Sequence, residues 1–264
     1  MKKYYIGLDM EGVACVVGTP GKGLEGVNYA FAAHEGLEEA NACARALFDS
    51  GADEVILWDN HSTGVNLDYE RVDPRCRIAL GSGFGSRFPA IDDSFAGVIF
   101  IGYHAREATR NAVLSHTYSS VTYQDYEVNG VSVGEMEIDA AFAALHHVPP
   151  ILAVSDLACV RQAQESFPGI RTVATKEGFG WNAAISLSPQ AAREAVYKAT
   201  LDAVAHEKEM RPYSMNGPLQ VRIRYKRMDA ANSARLFDMN GQPFAFEDAF
   251  TRVGTVKDVT ELPL

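Results

Sequence analysis

Short apolar runs recur along the chain, and polar or amphipathic segments separate them. Runs of this length that are apolar throughout predict buried strands. We predict strands at residues 4–8, 54–58, 76–80, 97–102, 151–155, 170–174 and 219–225. Between several of these runs, apolar side chains recur at helical spacing, which predicts helices at residues 35–49, 135–145, 156–167 and 188–208.

Strands and helices alternate with short links between them. This order predicts an α/β fold with a mostly parallel central sheet and flanking helices. Asp156 is the predicted N-cap of the third helix, and Ser188 followed by Pro189 begins the fourth. The pair Asn129-Gly130 predicts a hairpin turn inside a stretch of alternating residues.

The pattern changes near residue 210, where Arg211-Pro212 and Gly217-Pro218 break the chain. One predicted strand and two short helical stretches follow. We therefore expect a core of residues 1–210 and a small C-terminal α+β portion of residues 211–264, which packs on the core or takes part in oligomer contacts.

Composition narrows the class of protein. Of the 264 residues, 47% are hydrophobic and 22% are charged, which is ordinary for a soluble globular protein. The formal net charge of −10 argues against a general nucleic-acid binder. No apolar run is long enough to span a membrane, and the first residues lack a secretory pattern, so we expect a cytoplasmic protein. The cysteines are scattered and are predicted to be buried free thiols; they are Cys15, Cys43, Cys76 and Cys159.

Three of the predicted strands are followed at once by side chains that can bind metal. Asp9 and Glu11 follow the first strand, His61 follows the second, and His104 follows the apolar run at residues 97–102. In an extended chain, side chains two residues apart point the same way, so both carboxylates can face one point. Sites in open parallel sheets form outside the carboxyl ends of the strands. We therefore expect a metal site at that edge.

Glu135, at the start of a predicted helix, is a further candidate ligand. Asp139 shares its helical face, whereas Glu137 points away and is predicted to be an exposed charge. Mixed Asp, Glu and His ligands suit zinc, manganese or non-haem iron. Five ligands exceed the usual protein ligands of one catalytic zinc, but two metals that share one carboxylate would use all five. Such pairs activate water and polarise a carbonyl or phosphoryl oxygen.

Each candidate also has a simpler interpretation. His61 alone is typical of a hydrogen-bonded loop residue, with Asp59 capping a turn, and His104 could be a buried structural histidine. His116 could act as a general acid or base or as an oxyanion donor. The remaining histidines are expected at the surface; they are His34, His146, His147 and His206. The glycines at residues 81–85 predict a plain loop, because no phosphate-binding pattern follows them.

Three functions remain open on residue types alone. A two-metal hydrolase that polarises a carbonyl oxygen is one, and a two-metal phosphoesterase is the second. Lys22 and Arg106 lie near candidate ligands in sequence and could hold phosphate. The third is a non-catalytic α/β protein that binds a ligand or one structural metal. A serine hydrolase is disfavoured because no GxSxG surrounds a serine.

Several motifs resemble those of the DppA-type D-aminopeptidases, a family of zinc-dependent, self-compartmentalising peptidases. They are Leu8-Asp9-Met10-Glu11-Gly12, Asp59-Asn60-His61-Ser62, Gly102-Tyr103-His104-Ala105, Ser115-His116 and Val133-Gly134-Glu135. Their order and spacing agree from the first strand to about Pro189, which is roughly the first three quarters of the chain. The stretch at residues 30–35 lacks the basic residues expected there, and the tail beyond residue 217 looks shorter and different.

The resemblance implies an aminopeptidase that acts on short peptides or amino-acid amides, with two zinc ions per subunit. Asp9 would bridge the ions. Glu11 and His61 would complete one zinc, and His104 and Glu135 the other. His116 matches the catalytic histidine of the family, which lies outside the metal shell. The resemblance also implies a ring-shaped homo-oligomer, a decamer in the family, and a preference for D-residues.

Overall fold

The computed structural model describes residues 1–19, 23–24 and 27–264, in which strands form two sheets. The strands are β1 Lys3–Leu8, β2 Glu54–Asp59, β3 Arg77–Ala79, β4 Phe95–Ile101, β5 Tyr123–Val128, β6 Val131–Ser132, β7 Pro150–Asp156, β8 Arg171–Gly180, β9 Ala183–Ser186, β10 Leu219–Tyr225, β11 Ala245–Phe246 and β12 Thr251–Val256. The helices are α1 Val27–Asp49, α2 Glu135–Ala144, α3 Leu157–Ser166, α4 Pro189–Ala205 and α5 Met228–Ser233. Short 3-10 turns lie at Tyr69–Arg71, Glu207–Glu209 and Val259–Glu261.

The larger sheet has seven strands in the order β3-β2-β1-β4-β7-β8-β9. All neighbours are parallel except β8 and β9. In β1, Leu8 lies opposite Asp59 of β2 and Ile101 of β4. The carboxyl ends of these three strands therefore meet at one edge of the sheet. This confirms the predicted α/β fold with a mostly parallel sheet.

Helix α1 begins eight residues before the predicted start at residue 35. The segment before residue 35 is rich in alanine, a strong helix former, and Ala32 and Ala33 extend the buried face of the helix. Helix α4 packs beside α1, where Arg193 donates to the buried carboxylate of Glu35 from Nε at 2.9 Å. The predicted N-caps are confirmed, because Asp156 accepts from the Cys159 N–H and Ser188 from the Ala191 N–H.

The smaller sheet has the order β11-β12-β10-β5-β6 and is antiparallel. The predicted hairpin is confirmed, with Asn129 and Gly130 both at positive φ. The sequence prediction missed strands β11 and β12 of the tail. Strand β11 is too short to show a pattern, and β12 pairs with β10, which is distant in sequence. Because β5 and β10 pair directly, this sheet contains strands from before and after residue 210. The division of the chain into a core and a C-terminal portion at that residue stays a prediction.

Two expectations about single residues need separate mention. All four cysteines are free thiols, and Cys43 and Cys159 are buried as predicted, but Cys76 is only half-buried and Cys15 is exposed. It lies at positive φ in the turn region after β1, which directs its side chain outward. The histidines expected at the surface are all exposed or half-buried. Within the described residues, no helix combines the length and apolar character needed to cross a membrane.

Glu39 of α1 is a fully buried carboxyl group that faces the turn after β1. Its Oε1 accepts a hydrogen bond of 2.9 Å from the Ala14 N–H, whereas its Oε2 has no partner within the described residues. Burial raises the pKa of Glu39 to about 8, although the Ala14 N–H favours the ionised form. The neutral carboxyl group is therefore the folded form over a wide pH range.

We expect Glu39 to make the fold less stable as the pH rises. The folded protein keeps the proton to about pH 8, whereas the unfolded chain releases it near the ordinary value of 4.5. The unfolded state then binds fewer protons, so the free energy of unfolding falls across this window, by up to about 5 kcal/mol. Urea denaturation at several pH values should show a shallower fall in Glu39→Gln. The exposed Glu194→Gln is the control, and parallel curves for Glu39→Gln and the parent would contradict this assignment.

Candidate metal centre

The candidate ligands stand on turns that continue the hydrogen bonding of the sheet. The Asp9 N–H donates to the carbonyl oxygen of Ile101 at 2.8 Å, which holds the residue after β1 against β4. The Asn60 N–H donates to the Leu8 carbonyl oxygen at 2.9 Å, which holds the residue before His61 against β1. Backbone hydrogen bonds therefore join the ends of the three strands as far as Asp9 and the residue before His61.

Two glycines allow the turns after β1 and β4 to touch. The Gly12 N–H donates to the Gly102 carbonyl oxygen at 2.7 Å. A Cβ on Gly102, whose φ is +72°, would lie 1.9 Å from the carbonyl oxygen of Asp9. A Cβ on Gly12 would lie 2.1 Å from the carbonyl oxygen of Tyr103. Only glycine fits at both positions, so this close approach sets the separation between Asp9 and the turn that carries His104.

Asp9 lies between two histidines. Its Oδ1 is 2.8 Å from Nδ1 of His61, and its Oδ2 is 3.5 Å from Nε2 of His104. Glu11 Oε2 is 3.3 Å from the same nitrogen of His61, and Glu135 Oε1 is 3.1 Å from the same nitrogen of His104. The structure thus brings together all five residues that the sequence suggested as ligands, with one Asp9 oxygen facing each half of the cluster.

His116 lies against the second half of the cluster. Its ring stacks on that of His104, with the centroids 3.8 Å apart and an angle of 13° between the planes. Its Nδ1 is 2.8 Å from the carbonyl oxygen of Leu114, so we assign the Nδ1–H tautomer. Nε2 then faces the cluster, 3.8 Å from Glu135 Oε1. Among the described residues, donor atoms close enough to hold one ion occur in two groups, Asp9 with Glu11 and His61, and His104 with His116 and Glu135.

The buried carboxylates of the cluster favour cationic groups beside them. Asp9, Glu11 and Glu135 are all buried, and such carboxylates must be compensated. Burial alone would lower the pKa of His61, but the charge of Glu11 and the hydrogen bonds to both carboxylates raise it to about 12. Burial likewise opposes a charge on His104, yet Glu135 raises its pKa to about 10. Carboxylate oxygens and imidazole nitrogens are a donor set that suits zinc, so these residues fit zinc as the metal.

The cluster opens into a cleft of about 330 Å³. Besides the candidate ligands, Leu24, Leu114, Tyr118 and Trp181 form parts of its wall. A second cleft of about 490 Å³ adjoins it and shares Asn60 and Ser62 with it; the loop at residues 81–85 lines this second cleft. The first cleft is small, which suits a short substrate.

Of the cations considered for phosphate binding, Arg106 does not line the described cleft. Arg106 lies along a different groove, beside residues 130–133 and Glu137. Lys22 lies outside the described residues.

The interpretation that Asp59 caps a turn is supported, because its carboxylate accepts from the Asn66 N–H and from the Tyr69 hydroxyl.

The prediction made for Glu137 was wrong. It was expected to be an exposed charge, but it is buried. Its Oε2 accepts from the Gly134 N–H at 2.9 Å, which caps the start of α2, and its Oε1 accepts from the Ser166 hydroxyl at 2.9 Å. The helical pattern correctly separated it from Glu135, but α3 covers the face on which it lies.

Lys176 supports the ligand turn and was missed in the sequence. It lies near the middle of β8, is buried, and donates from Nζ to the carbonyl oxygens of Glu11, Val13 and Val16 at 2.6, 2.7 and 2.6 Å. The three donors of the ammonium group thus meet three acceptors on one turn. No sequence signal indicated this role, because β8 mixes polar and apolar residues and Lys176 lies beyond the strand predicted at residues 170–174.

Three comparisons show which known proteins this chain is similar to. The family model Peptidase_M55, described as D-aminopeptidase, matches residues 1–242. The D-aminopeptidase of Bacillus subtilis (strain 168) is 31% identical over 211 residues, which is 80% of this chain and 76% of that protein. The structure described as the Zn-dependent D-aminopeptidase DppA from Bacillus subtilis, a self-compartmentalizing protease, matches with a TM-score of 0.87 at 26% identity. That match covers 99% of this chain and 93% of the other.

We expect Lys176→Met to destabilise the protein strongly. Burial lowers the pKa of this lysine to about 8, so its removal relieves a desolvation cost. The variant also leaves the carbonyl oxygens of Glu11 and Val16 without a donor and removes one of the two donors of Val13, and this loss is larger. We expect the free energy of unfolding to fall by roughly 3 kcal/mol or more, measured by urea denaturation. The exposed Lys198→Met is the matched control, and an equal effect of both substitutions would refute the role given to Lys176.

Proposed function

Because the chain belongs to the Peptidase_M55 family of D-aminopeptidases, we propose that it is a two-zinc aminopeptidase that removes the N-terminal residue from short peptides or amino-acid amides. The observation that carries the two-metal proposal is the position of Asp9. Its two carboxylate oxygens face His61 and His104 separately. One carboxylate with this arrangement can bridge two ions.

The proposed ligand sets follow from the distances around Asp9. Glu11 and His61 complete one zinc site, and His104 and Glu135 the other, with Asp9 common to both. The second group of donor atoms also contains His116, which could replace Asp9 as a ligand there. The 3.5 Å between Asp9 Oδ2 and His104 Nε2 favours the bridging arrangement, because the carboxylate already points at the second site.

The residues around the ions have separate tasks in this proposal. When bound, the two zinc ions supply water activation and polarisation of the substrate carbonyl. His116 keeps its Nδ1–H on the Leu114 carbonyl oxygen, which leaves Nε2 directed at the cleft. At that position Nε2 can stabilise the oxyanion or carry a proton to the departing amine. The walls at Tyr118 and Trp181 restrict the space for the substrate.

The preference for D-residues is part of the same proposal. It rests on the family and on the Bacillus subtilis relative, which is a D-aminopeptidase. We also propose a cytoplasmic location, because four free thiols are typical of proteins in a reducing compartment.

We further propose a ring-shaped homo-oligomer, a decamer as the resemblance implies. The similar Bacillus subtilis structure is a self-compartmentalizing protease. Three apolar side chains on or beside the β8–β9 hairpin are exposed close in sequence to the cleft wall at Trp181; they are Phe179, Ile185 and Leu187.

Light scattering should give a mass many times 28.7 kDa, and a monomer in solution would contradict the proposed assembly.

The central prediction is that metal and activity are lost together. We expect about two zinc ions per chain, and hydrolysis of some members of a panel of D- and L-amino-acid amides and dipeptides. His61→Ala and His104→Ala should lose metal and lower kcat/KM by more than roughly 100-fold, because several kcal/mol of transition-state stabilisation disappears. His116→Ala should retain both metals and lose kcat by about 10²–10⁴-fold.

The controls separate this proposal from its rivals. His206→Ala, at the end of α4, should keep both metal and activity. Loss of one metal in His116→Ala would make it a ligand. Hydrolysis of p-nitrophenyl phosphate with no hydrolysis of any amide would indicate a phosphoesterase. One tightly held metal without turnover on the panel would indicate a binding protein.

A further inference from the structure

Four side chains behind the candidate metal centre form a closed ring of hydrogen bonds. Arg87 donates from Nε to Asp139 Oδ1 at 2.6 Å and from Nη2 to Asp139 Oδ2 at 2.9 Å. Nη2 also donates to Asn60 Oδ1 at 2.6 Å. Asn60 Nδ2 donates to the Tyr103 hydroxyl at 2.9 Å, and that hydroxyl donates to Asp139 Oδ2 at 2.7 Å. Each member binds two others, and the ring is complete.

Three members of the ring are close in sequence to three candidate ligands. Asn60 directly precedes His61, and Tyr103 directly precedes His104. Asp139 lies one helical turn after Glu135 and on the same face of α2. The fourth member, Arg87, comes from the loop between β3 and β4 and carries no ligand neighbour. It therefore joins elements that otherwise reach the metal centre independently.

The surroundings hold the ring in one conformation. Asp139 and Tyr103 are fully buried, and the side chain of Arg87 is 20% exposed. The guanidinium group lies over the Trp58 ring at 4.5 Å, which fixes its plane. Gly7 of β1 leaves room for the phenol, since a Cβ there would lie 2.8 Å from the Tyr103 hydroxyl oxygen.

The charges in the ring also agree with a fixed structure. Arg87 and Asp139 form a bidentate pair, which is the strongest geometry for this kind of ion pair. Replacing a buried pair of this kind by apolar packing is often neutral for net stability, and in some proteins such pairs select one conformation. A device that sets the position of the ligand-bearing turns fits that property better than a device for stability.

We propose that Arg87 is a positioning residue for the metal centre, which aligns His61, His104 and Glu135 by closing the ring through Asn60, Tyr103 and Asp139. Partners that orient ligands from outside the coordination shell change metal affinity by about 10–100-fold when they are removed. The inference rests on the two-zinc site proposed above. It adds a group that is not one of the candidate metal ligands.

The test measures metal binding together with the geometry at the metal. In Arg87→Met we expect zinc affinity, from competition with a chromophoric chelator, to fall by about 10–100-fold. The visible spectrum of the cobalt(II)-substituted protein should change, because it reports the coordination geometry. Tyr103→Phe removes one hydroxyl and should change both readouts in the same direction by less. Arg87→Lys keeps the charge without the planar fork and should restore the affinity only partly.

The matched control is Arg75→Met. Arg75 also forms a bidentate pair, with Asp73, and lies over the ring of Phe48 at 4.3 Å, but it is on the exterior. It should leave zinc affinity and the cobalt spectrum unchanged. Parent-like affinity and spectra in Arg87→Met and Tyr103→Phe would overturn the positioning role while the two-zinc proposal stands. A parent protein that binds no zinc would overturn both.

Discussion

The burial of three carboxylates at one edge of a parallel sheet is the constraint on which the rest of this structure depends. Asp9, Glu11 and Glu135 converge where water cannot solvate them fully, and their mutual repulsion must be offset by positive charge. Imidazoles supply part of that compensation, and His61 and His104 are drawn to protonation by it. The same arrangement is what makes the edge a good site for divalent cations.

Holding these groups together requires rigid backbone, and the fold supplies it in two ways. Gly12 and Gly102 let two turns touch at a distance that no other residue permits. Lys176 gathers three carbonyl oxygens of the turn after β1 around one ammonium group. The candidate ligands themselves are thus placed by groups that have no part in binding metal, and the ring around Arg87 extends this support to the other turns.

The sequence predicted the site better than it predicted the support. Asp9, His61 and His104 each follow an apolar strand, and parallel strands bring their carboxyl ends to one edge, so local pattern was enough to group them. Arg87 and Lys176 have no such signal, because a cation in a loop or a strand shows its role only through distant partners. Glu137 was wrongly expected to be exposed, because helical spacing shows which residues share a face but not which faces are covered by α3.

The sequence by itself determined the parallel sheet, most element positions and the identity of the candidate ligands, since these follow from short-range periodicity and from residue chemistry. Its resemblance to a family also supplied the division of the ligands between two ions. Only the tertiary structure decided which oxygen of Asp9 faces which histidine, that β5 joins the sheet of the tail, and that Asn60, Tyr103, Asp139 and Arg87 close a ring. These features depend on contacts between residues far apart in the chain, and local pattern carries no information about such distances.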